Sequence, residues 1–497
     1  MSRFGLPLET KSDDLPPSRV LGYVSVEGSE SFFGKGSKKL RKSSKPFHAK
    51  KGDRDSVRHD LEKNGFNIIA ESALGISVAA APGAYEDITG GKLTAKERLM
   101  HTESGQKRYV THLDIEGPKQ PDTLGVGTVK SKSLKIDGIV LERPRVYLAM
   151  SPSPIPPNSP KFYLRVPTDV AVALNAASAQ QRGLRGEGVT IAMPDSGWYR
   201  HPYFTAHGYN VKTPIAVVPG TDRAKDPQGH GTGESANIFA IAPGAELQPI
   251  RASDNNGDLV GAIAGFLKAK ELRPRIITSS WGGDGPYPPT SPTPNEADMT
   301  IATEIQDAIE QGILVVFSAA NGQFSVEPQV PGVLSAGGVF VDGNGEMRAS
   351  DYASGYKSPW FDHHVVPTVC GLVGLLPRAQ YLMLPVPPGC SLDTEESQPS
   401  SNDPTTDGTR PDDGWALFSG TSAAAPQVAG AAAVLLGAKP NLTPAQIVEA
   451  LTKTAIDVVT GHCHPRFNNP ATPGADLATG PGLLDLGAAL DYANLRL

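Results

Sequence analysis

Three side chains able to act together on a carbonyl stand in glycine-rich settings, in the order aspartate, histidine, serine. Asp195 lies in Met193-Pro-Asp195-Ser-Gly197, directly after the apolar run Val189–Met193. A carboxylate there can orient an imidazole and stabilise its charged form during a reaction. His230 lies in Gly229-His230-Gly-Thr232-Gly233, where the glycines let backbone and substrate approach closely. Ser422 lies in Phe418-Ser-Gly420-Thr-Ser422-Ala-Ala-Ala-Pro426, which opens an Ala- and Gly-rich helix. A serine at a helix start sits among free backbone N–H groups and the positive end of the dipole, which suit a developing oxyanion. The chemistry such a set can perform is nucleophilic attack through an acyl intermediate.

Each motif alone has a plain structural reading: a turn, a loop histidine, a helix cap. Their joint occurrence in this order is what points to catalysis, and the order separates the chain from two other serine-hydrolase designs. The serine context also lacks the second glycine of the α/β-hydrolase elbow.

The elements that must position these groups form an alternating series. Val189–Met193, Glu246–Ile250, Ile276–Ser280 and Ile313–Phe317 read as short buried strands. Leu259–Lys270 and Asp298–Gln311 read as helices between them, the second with Met299, Ala302, Ile305 and Ile309 on one face. Such alternation predicts an α/β fold, a parallel sheet between two helical layers, with its site at the carboxyl ends of the strands. Asp195 and Asn321 each fall just beyond an apolar run. Two helices, about Ser422–Leu436 and Pro444–Ala455, are predicted to close the unit, with Thr443 and Gln446 forming a capping box.

With these residues in place, the chain resembles the subtilisin-like serine proteases over about residues 165–490. Asp195-Ser-Gly, His230-Gly-Thr and Gly420-Thr-Ser422-Ala-Ala-Ala-Pro426 are similar to that family's three active-site signatures. The resemblance implies a subtilisin-like three-layer fold and endopeptidase activity on protein or peptide substrates. It implies Asp195 as orienter, His230 as general base then acid, and Ser422 as nucleophile. It further implies Asn321 as oxyanion donor, and Ser280-Trp281-Gly282 as the segment whose backbone pairs with an extended substrate. Neither a cofactor nor a metal is expected in the chemical step. The family commonly has glycine before the oxyanion asparagine, whereas Ala320 stands here. The interval from Asn321 to Ser422 is long by family standards and includes the acidic, polar stretch Ser391–Gly414, which reads as a surface loop or lid. The alternative from another class is a catalytically silent scaffold of this fold that acts as a binding or regulatory protein.

A proline-rich linker at residues 151–160 separates a catalytic domain, residues 161–497, from an N-terminal domain, residues 1–150. Val20–Val26 reads as a strand, Asp53–Asn64 as a helix and Phe66–Ala81 as two strands. This β-α-β-β order begins a small α+β ferredoxin-like unit that Tyr109–Ile115 and Val146–Met150 would extend. It resembles the propeptide domain of the same family, which implies an intramolecular inhibitor and folding aid with its C-terminal tail laid through the cleft. A permanent regulatory domain is the competing reading.

The net charge of -6 gives no general case for nucleic acid or membrane binding. The eight Lys/Arg residues between Lys35 and Lys51 read as a solvated loop rather than a nucleic-acid contact. The N-terminal sequence lacks the apolar core of a signal peptide, and Ala429–Ala438 is too short and too glycine-interrupted to span a membrane, so a cytoplasmic protein is expected. Cys370, Cys390 and Cys463 form neither an even disulfide set nor a CxxC pair, which also fits a reducing compartment. His462-Cys463-His464 lacks a convergent ligand set. Asp254–Asp258 begins like a calcium loop but has Gly265 where the twelfth-position glutamate belongs, so a tight turn is expected.

Overall fold

The structure is a computed structural model that describes residues 18–31, 43–101, 107–116, 126–128, 135–147, 162–376, 379–399 and 406–497. The proline-rich linker and most of the basic stretch lie outside the described residues.

A nine-stranded sheet runs through the larger unit. Its order is Asn210–Val211, Glu246–Arg251, Thr190–Asp195, Ile276–Ser279, Leu314–Ser318, Leu334–Val341 and Met347–Ala349. Ile215–Ala216 pairs beside Glu246–Arg251, and Val369–Leu372 beside Leu334–Val341. Every pairing is parallel except that of Met347–Ala349. Alternate strand residues feed two cores: Ile191, Met193, Leu314 and Val316 face one layer, Ala192, Val315 and Phe317 the other. Helices His230–Ile241 and Thr421–Ala438 cover the first face, Ala262–Glu271 and Glu296–Glu310 the second.

The Thr421–Ala438 helix is long and apolar enough to cross a bilayer, more so than the Ala429–Ala438 run suggested. It is 89% buried inside the unit, which makes it a core helix. The capping box at Thr443 and Gln446 is present on Pro444–Lys453. A third helix, Leu486–Arg496, also closes the unit, capped by Asp485 through the Ala488 N–H.

The N-terminal unit is a five-stranded antiparallel sheet in the order Asn67–Glu71, Gly75–Ala80, Val20–Val26, Ile136–Leu141 and Val126–Thr128. Helices Lys51–Lys63 and Pro82–Thr89 make the two crossovers, completing the ferredoxin-like β-α-β-β-α-β path. Two expected extensions go elsewhere. Lys107–Glu116 pairs with Lys92–His101 as a separate ribbon, and Val146–Tyr147 leaves the unit to pair with Trp281–Gly282.

The two units share a continuous core. Tyr23, Phe47, Ala70 and Leu74 pack with Ile263, Phe266 and Ile305 of the second helical layer. A polar network lies beside them. Lys270 contacts Glu304 and Asp307, Tyr23 donates to Glu304, and His48 meets Asp307. Ser72 donates to Glu304 at 2.6 Å, and the Ser44 hydroxyl donates to Glu310 at 2.9 Å. Glu142 caps the Ala262–Glu271 helix, accepting from the N–H groups of Ile263 and Ala264 at 3.1 and 3.0 Å.

Candidate active site

Asp195 ends its strand at the carboxyl edge of the sheet, and its Oδ1 accepts from the Ser196 N–H at 2.7 Å. His230 begins its helix after Gly229, whose φ of +92° is the left-handed shape glycine adopts freely. The two side chains meet, with His230 Nδ1 2.7 Å from Asp195 Oδ1. Gly231 permits this approach: a Cβ there would lie 2.3 Å from the Gly197 carbonyl oxygen and 3.1 Å from Asp195 Cβ.

Ser422 is the second residue of the Thr421–Ala438 helix. Pro426 lacks the N–H that would bond the Ser422 carbonyl one turn back. That carbonyl accepts instead from the Ser280 hydroxyl at 2.9 Å, while Ser422 Oγ donates to the Ser280 carbonyl at 3.2 Å. The serine is therefore pinned to the end of the Ile276–Ser279 strand. The helices bearing His230 and Ser422 pack tightly, since a Cβ on Gly430 would lie 2.9 Å from the Ile238 carbonyl oxygen. The His230 helix also meets the strand Trp415–Phe418, where a Cβ on Gly233 would lie 2.4 Å from the Phe418 ring.

Asn321 follows the Leu314–Ser318 strand. Its side-chain oxygen accepts from both the N–H and the hydroxyl of Thr421, each at 3.0 Å. Ala320 takes a φ of +83°, the backbone shape that glycine would adopt without strain. This is how the chain keeps the turn before Asn321 without the usual glycine. Trp281 is fully buried, donates to the Pro194 carbonyl at 2.8 Å and packs edge-on against Phe317. Its side chain thus belongs to the core, and only the backbone of Trp281–Gly282 is presented as an edge. Val146–Tyr147 runs antiparallel along that edge.

Asp195, His230 and Ser422 have no exposed surface in the full-length chain, and Asn321 is nearly buried. Burial opposes a charge on His230. The Asp195 charge and hydrogen bond, helped by Glu234 and Asp226, outweigh it and raise the imidazole to about 9. Glu234 was not singled out in the sequence, though its spacing of four from His230 on one helix was visible there. Its Oε1 lies 3.9 Å from His230 Nε2, and burial raises its own pKa.

Residues 400–405 of the stretch Ser391–Gly414 lie outside the described residues; the described parts, 391–399 and 406–414, are less of a free loop than their composition suggests. Ser391–Glu396 forms a short helix, and the Ser391 and Leu392 N–H groups bond the carbonyls of Pro227 and Gln228, beside the histidine turn. Buried Asp393 accepts from the N–H groups of Gly389 and Gly414, and Asp407 from that of Leu417. The acids close turns. Asp254 likewise closes the expected turn, accepting from the Asn256 and Asp258 N–H groups. His464 accepts from the Arg466 N–H, and Cys463 is buried. All three cysteines are free.

A parallel α/β sheet with an Asp–His pair and a helix-opening serine at its carboxyl edge defines a serine-hydrolase type of architecture. The chain belongs to the subtilase family, whose model matches residues 186–482, and it is by family a subtilisin-like serine protease. It is 26% identical over 295 residues to subtilisin BL of Lederbergia lenta, covering 57% of this chain and 88% of that protein. It is 29% identical over 404 residues to fervidolysin of Fervidobacterium pennivorans, covering 73% of this chain and 51% of fervidolysin. The crystal structure of fervidolysin, described as a keratinolytic enzyme related to subtilisin, superposes with a TM-score of 0.54 at 20% identity. That superposition spans 96% of this chain and 62% of the fervidolysin chain, and establishes the shared fold.

Proposed function

We propose that this chain is a serine endopeptidase in which Ser422 attacks the peptide carbonyl while His230 takes its proton and Asp195 steadies the imidazolium. The acyl-enzyme is then hydrolysed by water, with His230 activating the water and protonating the departing serine. Asn321 stabilises the oxyanion by donating from its amide nitrogen, while Thr421 holds the side-chain oxygen through its N–H and hydroxyl and so fixes which way the amide faces. The observation that carries this reading is the Asp195–His230 contact at the carboxyl edge that also holds the start of the Ser422 helix. A silent scaffold has no physical need for all four groups. A fluorophosphonate probe tests the reading: an adduct on Ser422 is expected, and failure of the processed protein to form one would refute it.

The N-terminal domain acts on this reading as an intramolecular inhibitor. Two features support it: the Val146–Tyr147 strand on the Trp281–Gly282 edge, and the complete burial of the three proposed catalytic groups. Substrates would be proteins or peptides bound as extended strands along that same edge.

A further inference from the structure

The strand leaving the N-terminal domain carries a cation into the wall of the cleft. Arg145 is 5% exposed, and its Nε lies 3.4 Å from Glu327 Oε1, whose residue is 1% exposed. The two residues are 182 positions apart and come from opposite sides of the interdomain boundary. Glu327 starts a short turn of helix six residues after Asn321, so its place is fixed by the same loop that carries the proposed oxyanion donor. Its carboxylate lies directly behind the strand edge. A Cβ on Gly282 would stand 3.3 Å from Glu327 Oε2 and 3.0 Å from Ser325 Oγ.

The register gives this pair an address. Val146 lies opposite Gly282 and Tyr147 opposite Trp281, antiparallel. A substrate peptide in the same register brings its next residue opposite Ser280, whose carbonyl contacts Ser422 Oγ. The bond to be cut follows that residue. Counting back from it, the positions of Tyr147, Val146 and Arg145 are the second, third and fourth.

We propose that Glu327 forms an acidic subsite that takes an arginine or lysine four residues before the cut bond, and that Arg145 occupies this subsite in the full-length chain. The proposal rests on the peptidase reading above. A buried carboxylate deprived of its cation is costly. A peptide with an apolar or acidic residue at this position leaves Glu327 in that state, whereas a basic residue restores the pair. Asp298 adds a second negative charge acting on Glu327, so an acidic substrate residue is disfavoured further.

The test uses full-length protein, incubated until fluorophosphonate labelling of Ser422 in withdrawn aliquots reaches its plateau. It is assayed on quenched peptides identical except for Arg, Lys, Leu or Glu at the fourth position, with the cut bond located by mass spectrometry. The expected result is a kcat/KM for Arg and Lys roughly tenfold or more above that for Leu, with Glu lowest. Glu327→Gln should bring the Arg-to-Leu ratio close to one, and Glu327→Asp should retain part of it. A flat series in the wild-type protein, or a full preference surviving in Glu327→Gln, overturns the subsite while leaving the peptidase intact. No cleavage of any peptide, together with an unlabelled Ser422, removes the peptidase reading and the subsite with it.

Discussion

Replacing Glu142 by alanine should open the cleft. Its carboxylate joins the N-terminal domain to the first turn of the Ala262–Glu271 helix through two backbone N–H groups at 3.1 and 3.0 Å. Alanine leaves both donors without an acceptor in a buried place, at about 1–2 kcal/mol each. Docking should therefore weaken by about 2–4 kcal/mol, and the undocked fraction rise roughly 30- to 1,000-fold. The assay is the rate at which a fluorophosphonate labels Ser422 in intact full-length protein, which follows that fraction.

The same residue gives docking a pH dependence. Burial pushes the Glu142 carboxyl up from 4.5 to about 7, against the lowering effect of the two N–H groups and of Arg145. A carboxyl whose docked pKa lies above its free value takes up a proton on docking. Its contribution is full below 4.5 and is lost as the pH rises through 7, at up to roughly tenfold per pH unit. Glu142→Gln keeps one acceptor and cannot titrate. The ratio of wild-type to Glu142→Gln labelling rates should climb roughly ten- to a hundredfold between about pH 5 and 7.5, and taking the ratio cancels the titration of His230. Wild-type labelling by Glu142→Ala, or a ratio constant with pH, would refute the reasoning.

Ser422→Ala should abolish peptide hydrolysis and fluorophosphonate labelling with little change in Tm, because it removes one hydroxyl; turnover by that variant would end the nucleophile assignment. Asn321→Leu should lower kcat roughly 100-fold with a much smaller change in KM, a scale set by a relative rather than worked from this site. Activity requires neutral His230; its pKa of about 9 belongs to the docked, fully buried site, but the Asp195 and Glu234 charges that raise it stay beside it in the opened enzyme. So kcat/KM should rise with pH to a midpoint above 6.5, and Glu234→Gln should move that midpoint down. A pH–rate profile with its midpoint at the ordinary histidine value of 6.5 in both proteins would contradict this.

What the sequence made legible is what local rules encode. The Val20–Val26 strand, the Thr443–Gln446 box and the four central strands follow from periodicity and capping, which need only neighbouring residues. Asp195, His230 and Ser422 stood out because tight turns force glycines around them. Arg145 with Glu327, and Glu142 with Ile263, gave no such signal. Each pair spans more than a hundred residues, and an isolated Arg or Glu looks the same whether it meets water or a buried partner. The acidic stretch around Asp393 and Asp407 misled for a related reason: composition registers polarity, while the acids spend it on nearby N–H groups. Ala429–Ala438 reads as interrupted by glycine, yet Gly430 is where the neighbouring helix leaves no room for a Cβ, 2.9 Å from the Ile238 carbonyl oxygen.

The face between the two units also bears on how long they stay together. Permanent interfaces are built like a domain core, and exposing one after separation invites aggregation. Here the apolar patch around Tyr23, Phe47 and Leu74 is bordered by Lys270, Glu304, Asp307, Glu310 and His48. These groups can each regain water when the units part, which offsets much of the loss of their mutual contacts. The helices Ala262–Glu271 and Glu296–Glu310 would then present a hydrated, charged surface of ordinary solubility. Such an interface suits a partner that is tightly held and still able to leave, so dissociation would end in a well-behaved free enzyme rather than in a sticky half-core.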